Sequence, residues 1–187
     1  MNYKKIIQEQ LSEKRFAHSV RVAETAVALA EKHHEDASKA RIAGLMHDYC
    51  KEMPVDEQIK IALEHHLLTQ SDALYMPQVL HGPVASVVLK EEGLVTDEDI
   101  LQAIRFHTTG DPNMDALAKI IFIADYIEPG RKLPDLDALR DLAMADLDRC
   151  VAEIINKTID YLLSTNRLIH ADMVKLRNTI LIKEQKA

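Results

Sequence analysis

Apolar residues return every three or four positions along most of the chain, a spacing that predicts helices rather than strands. Ser12 can cap a helix running to about His34, with Phe16, Val20, Ala23, Val27 and Ala30 on one stripe. Asp36 can cap a second that ends near Cys50 and carries Ala40, Ala43, Gly44 and His47 at helical spacing. A third covers Val55 to His65, with Pro54 at its first position. Pro83 opens another, closed by Gly93. Thr96 with Asp99 resembles a capping box for a helix ending near His107. Asp115 to Ile127, Leu147 to Thr165 and Ala171 to Lys183 complete the set. No alternating strand pattern and no solenoid repeat stands out. The expectation is an all-α helical bundle forming one domain over residues 1–187.

Composition narrows the function. Hydrophobic residues make up 47% and charged residues 28%, which is ordinary for a globular chain. The net charge is −7 and no dense basic cluster occurs, so nucleic acid is not an expected partner. Aromatics are 4% and Trp is absent, which argues against a stacking platform for single strands. An acidic chain can still bind phosphates, but only through a few placed cations or metals. Cys50 and Cys150 cannot form the framework of a secreted mini-domain. Residues 1–10 contain no apolar signal core, and no stretch is apolar for long enough to span a bilayer. A cytoplasmic protein with no membrane partner is expected.

Several residues break the helical pattern. Asp125 lies within the apolar run Ile120–Ile127, and a carboxylate stripped of water needs a metal or a cation to answer it. A buried salt bridge or a cap would answer it equally well. His47 and Asp48 are adjacent, so they diverge by roughly 100° on a helix. Both can serve one site only where the helix faces a metal pair or begins to unwind. Gly44, inside the preceding helix, suggests close helix approach. His18 borders an apolar stripe, and His81 and His107 sit at helix boundaries. Alone, each fits a satisfied histidine or a dipole-complementing helix end. His33, His34, His65 and His66 read as helix ends, and His170 as a surface cap. Together, His18, His47, Asp48, His81, His107 and Asp125 form a mixed N/O set suited to two transition metals.

With these residues assembled, the chain resembles the HD-domain phosphohydrolase superfamily, and more closely its YqeK-type branch, the bacterial symmetrical diadenosine-tetraphosphate hydrolases. The matching stretches are His18-Ser-Val-Arg21, His47-Asp48-Tyr-Cys-Lys51, His81-Gly-Pro83, His107-Thr-Thr-Gly110 and Ala124-Asp125-Tyr-Ile-Glu-Pro-Gly-Arg131. Cys50 departs from the small apolar residue expected inside the His-Asp stretch and reads as a packing residue. The resemblance implies a dinuclear site, often iron, with manganese, cobalt or zinc as alternatives. It implies that His18, His47, Asp48 and Asp125 bind one metal, and that Asp48, His81 and His107 hold the second. It also implies cleavage of diadenosine tetraphosphate into two ADP.

Phosphate charge beyond the metals needs cations. Lys51 is the candidate for stabilising the transition state or protonating the leaving group, beside Asp48 as the bridging catalytic carboxylate. Arg21, Arg105 and Arg131 are candidate phosphate contacts, and Thr108 and Thr109 could add hydroxyls and N–H groups. The superfamily also serves nucleotidases, deoxynucleotide triphosphohydrolases, guanosine-tetraphosphate hydrolases and cyclic-dinucleotide phosphodiesterases, so the fold leaves other nucleotides open as substrates. A non-catalytic nucleotide-binding module is the rival outside enzymes. Ile154, Ile155, Ile159, Leu162 and Leu163 could pack in the core or form the face of a homodimer.

Overall fold

Side-chain caps and apolar stripes organise residues 1–186, which the computed structural model describes. The helices are α1 (Tyr3–Gln10), α2 (Glu13–Lys32), α3 (Ala37–Met46), α4 (Val55–Glu64), α5 (Gln70–Tyr75) and α6 (His81–Glu91). They continue with α7 (Glu98–Phe106), α8 (Ala116–Ile127), α9 (Leu136–Ala145), α10 (Leu147–Ser164) and α11 (Ala171–Glu184). A 3-10 turn at Pro77–Val79 precedes α6, and no strand occurs among the described residues. The architecture is all-α.

Ser12, Asp36 and Asp115 accept from backbone N–H groups of the first turns of α2, α3 and α8, so each answers an orphan donor. The cap of α7 is Asp97 rather than Thr96: its Oδ1 accepts from Asp99 N and Ile100 N. Three helices were not anticipated. In α1 only Ile7 is buried, so its periodicity is weak. The chain enters α9 through Asp135 at φ +60°, with no side-chain cap to mark the start. Six-residue α5 buries only Ala73. The helix expected to reach Cys50 stops at Met46 and gives way to turns.

Helix α8 is the axis of the bundle. Ile120, Ile121, Ile123 and Ala124 are fully buried on it, and it packs against α2, α7 and α10. One contiguous apolar cluster runs from Ile7 to Ile180 and includes Ile154 and Ile155, while Leu163 is exposed. Two glycines permit close helix approaches. A Cβ on Gly44 would stand 2.6 Å from Ala23 Cα, so only glycine lets α3 lie this close to α2. A Cβ on Gly82 would meet His107 Cε1 and Ile104 O at 3.0 Å, where α6 meets the end of α7. The first approach brings His18 to His47, and the second brings His81 to His107.

Candidate metal centre

All six residues expected as ligands converge on one buried cluster. His18 comes from α2, His81 from the first position of α6, and Asp125 from the last turn of α8. His47, Asp48 and His107 lie where α3 and α7 end, so the chain unwinds just where adjacent ligands must face one point.

The two oxygens of Asp48 divide the cluster. Oδ2 lies 3.3 Å from His47 Nε2 and 3.6 Å from His18 Nε2. Oδ1 lies 3.3 Å from His81 Nε2 and 3.9 Å from His107 Nε2. Asp125 Oδ1 joins the first side, 3.0 Å from His18 Nε2 and 3.9 Å from His47 Nε2. On the second side, His81 Nε2 and His107 Nε2 are 3.0 Å apart. Within the cluster, the donor atoms of His18, His47 and Asp125, and those of His47, Asp48 and His107, lie within 4.8 Å of one another.

The imidazoles are oriented from behind. His47 Nδ1–H donates to Gly44 O at 2.7 Å, and His107 Nδ1–H donates to Ile104 O at 2.7 Å. A carbonyl can only accept, so each Nε2 turns a lone pair to the cluster when the ring is neutral. His18 Nδ1 faces Glu128 Oε1 at 3.2 Å, the carboxylate–histidine arrangement that supports metal ligands. Glu128 is buried and also accepts from Arg21 Nε and Gly130 N.

The donor set fits divalent metal ions. His18 Nε2 and His47 Nε2 are buried with no hydrogen-bond partner, although buried nitrogens are normally satisfied. Burial alone would push the carboxyls of Asp48 and Asp125 up. The histidines around them outweigh it and hold both well below the usual carboxylate range. Burial, with His47 and His81 adding repulsion, depresses His107 to about 3, the neutral form that a ligand needs. The Cys50 thiol is pushed up to about 12, chiefly by burial, and is inert packing.

Cations and a hydroxyl surround this set. Lys51 Nζ lies 3.3 Å from His81 Nε2, and Thr108 Oγ1 lies 3.2 Å from His107 Nε2. Arg131 donates from NH2 to Asp125 Oδ1 at 2.6 Å and from Nε to Asp125 O at 2.9 Å. Three other candidate substrate residues face elsewhere. Arg21 is engaged by Glu128. Arg105 reaches Leu67 O and lines a groove beside α6 and α7. Thr109 is buried, with its hydroxyl on Gly110 O. His170 does cap α11 but is buried, not at the surface.

Sequence reading missed two residues of the site. Arg15 NH1 donates to Asp48 Oδ2 at 2.7 Å, and Glu128 backs His18. Each lies three positions from a ligand, Arg15 before His18 and Glu128 after Asp125, a spacing that could have flagged them.

The HD domain family model matches residues 15–130. The chain is 40% identical to a symmetrical bis(5'-nucleosyl)-tetraphosphatase of Staphylococcus aureus, over 94% of this chain and 91% of that one. It is also 40% identical to the protein of that name from Halalkalibacterium halodurans, over 96% of each. A crystal structure from Clostridium acetobutylicum, of a predicted HD superfamily hydrolase involved in NAD metabolism, superposes with a TM-score of 0.92. Identity there is 39%, with 97% of this chain and 96% of that chain covered.

Proposed function

The chain belongs to the HD-domain family, and from that premise we propose that it is a metal-dependent phosphoanhydride hydrolase. Its substrate is diadenosine tetraphosphate, cleaved symmetrically into two ADP. The observation that carries the reading is the two-sided Asp48, whose Oδ2 faces the imidazoles of His47 and His18 and whose Oδ1 faces those of His81 and His107. His18, His47, Asp48 and Asp125 would hold one divalent ion, and Asp48, His81 and His107 would hold the other. Iron is the proposed pair, and manganese, cobalt or zinc suits the same nitrogen–oxygen donors.

A bound pair of ions supplies an activated water and neutralises charge on the attacked phosphoryl group. The protein's own residues do the rest. Glu128 holds the Nδ1 proton of His18, and the carbonyls of Gly44 and Ile104 hold those of His47 and His107. Arg15 and Arg131, both on ligand carboxylates, present guanidinium groups to the phosphate chain. Burial lowers the Lys51 ammonium below the ordinary lysine range, so it releases a proton more readily to the departing ADP oxygen. The Thr108 hydroxyl adds a donor at the rim of the second side.

The chain is proposed to form one domain, and the contiguous core from Ile7 to Ile180 supports this. A cytoplasmic location is supported by two free buried thiols, and among the described residues no helix is long and apolar enough to cross a membrane. Product analysis tests the function. Diadenosine tetraphosphate, supplied with a panel of divalent ions, should give ADP as sole product. Release of nucleoside or inorganic phosphate instead would transfer the chain to another nucleotide hydrolase class. Tight nucleotide binding without turnover would make it a binding module.

A further inference from the structure

The metal centre offers imidazoles, carboxylates and cations, which suit a phosphate chain but not the flat apolar faces of a purine. A nucleobase stacks best on a tyrosine or phenylalanine ring nearby. The groove beside α6 and α7 is edged by Lys90, Glu91, Glu98 and Arg105, and its one aromatic side chain is His65. The recess beside Leu29 and Met144 is aliphatic and holds no aromatic ring. A third groove, of about 440 Å³, is walled by Tyr126, Leu133, Pro134 and Tyr161, with Lys157 at its edge. That volume lies within the roughly 300–1,000 Å³ typical of small-molecule clefts.

This groove neighbours the metal centre along the chain, although no residue of that centre lines it. Tyr126 directly follows Asp125 on α8. Arg131 grips Asp125 at both its carboxylate and its carbonyl, and Leu133 and Pro134 form the lip two and three residues later. The wall is left uncovered at a cost in apolar exposure: Leu133 is 43% and Tyr161 54% exposed. Of five tyrosines in the chain, two line this one groove. Asp160 offers a carboxylate to the edge of a base or its ribose, while Lys157 is paired with Asp135 and the Thr158 hydroxyl donates to Ile154 O.

Resting on the proposed reaction, we infer that this groove binds one adenine of the dinucleotide, with the phosphate chain leading past Arg131 to the metal centre. Tyr161 and Leu133 are then specificity determinants that touch the base and not the reacting phosphorus.

The test is equilibrium binding of ADP and of pyrophosphate to the metal-loaded protein, in the wild type and in Tyr161→Ala and Leu133→Ser. ADP affinity should fall about tenfold in each variant while pyrophosphate affinity stays constant. Tyr161→Phe, which keeps the ring, should restore ADP binding. Unchanged ADP affinity overturns the inference, and so does equal loss for both probes. A change in sedimentation with unchanged ADP affinity would make the groove a face between two copies of the chain and overturn it equally. The reaction itself is judged separately, by turnover of the wild type. Wild-type cleavage with normal ADP binding in the variants removes only the subsite. A wild type that binds ADP through this groove without cleaving the dinucleotide removes only the reaction.

Discussion

Glu128 Oε1 stands 3.2 Å from His18 Nδ1, and the same buried carboxylate accepts from Arg21 and from the backbone of Gly130. One side chain thus ties α2 to the end of α8, across which His18 and Asp125 approach to 3.0 Å. Glu128→Gln keeps the shape but loses the charge that favours a basic Nε2. Metal affinity should fall by about 10–100-fold with helical content unchanged. Titration of the metal-free protein with a divalent ion checks this, and wild-type affinity would remove Glu128 from the site.

Asp48→Ala removes the carboxylate between the two imidazole groups, and Asp125→Ala removes an anion from one of them. Both variants should lose bound metal and turnover while circular dichroism stays helical. Elemental analysis decides, and full occupancy in either contradicts the ligand assignment.

Lys51 touches His81 but is not among the ligands. Lys51→Ala should retain metal and lose about a hundredfold in turnover, the scale of a missing proton donor. Unchanged rates would leave the ammonium without a catalytic part.

Gly44→Ala places a methyl 2.6 Å from Ala23 Cα, a backbone atom that cannot yield without moving α2. The strain of overpacking, about 1–3 kcal/mol, should lower the unfolding midpoint by several degrees. Because α2 and α3 carry His18 and His47, metal affinity should weaken as well. A midpoint equal to the wild type would contradict the close approach.

The metal-free protein should lose stability as pH falls from about 6.5 to 4. Burial lowers both His81 and His107, the latter to about 3, so the unfolded chain takes up protons that the native state refuses. His47 has the opposite sign. Burial lowers it, but Asp48, Asp125 and the Gly44 carbonyl together outweigh burial and raise it, so its gain is complete before the pH drops below about 6.5. The carboxylates Asp48 and Asp125 are depressed and add their loss only below about pH 4. Thermal unfolding across this range checks the sign; a constant midpoint would mean that His81 and His107 are not held neutral.

The chain's own pattern determined the all-α class, most helix boundaries and all six side chains of the cluster. Helical periodicity and caps are local, and a carboxylate amid isoleucines signals a compensating partner wherever it lies. Gly44 likewise announced a close crossing before its neighbour was known. Tertiary structure alone decided how the cluster is divided and which cations reach it. Asp48 lies just past the end of α3 at Met46, with no proline or further glycine between Gly44 and Asp48 to announce that end in the sequence. Arg15 and Arg21 lie on one helix, yet the first meets Asp48 and the second Glu128. Arg105 adjoins a cluster segment but points to Leu67. Long charged side chains leave no periodic signature, because their ends are placed by whichever opposite charge the fold brings within reach.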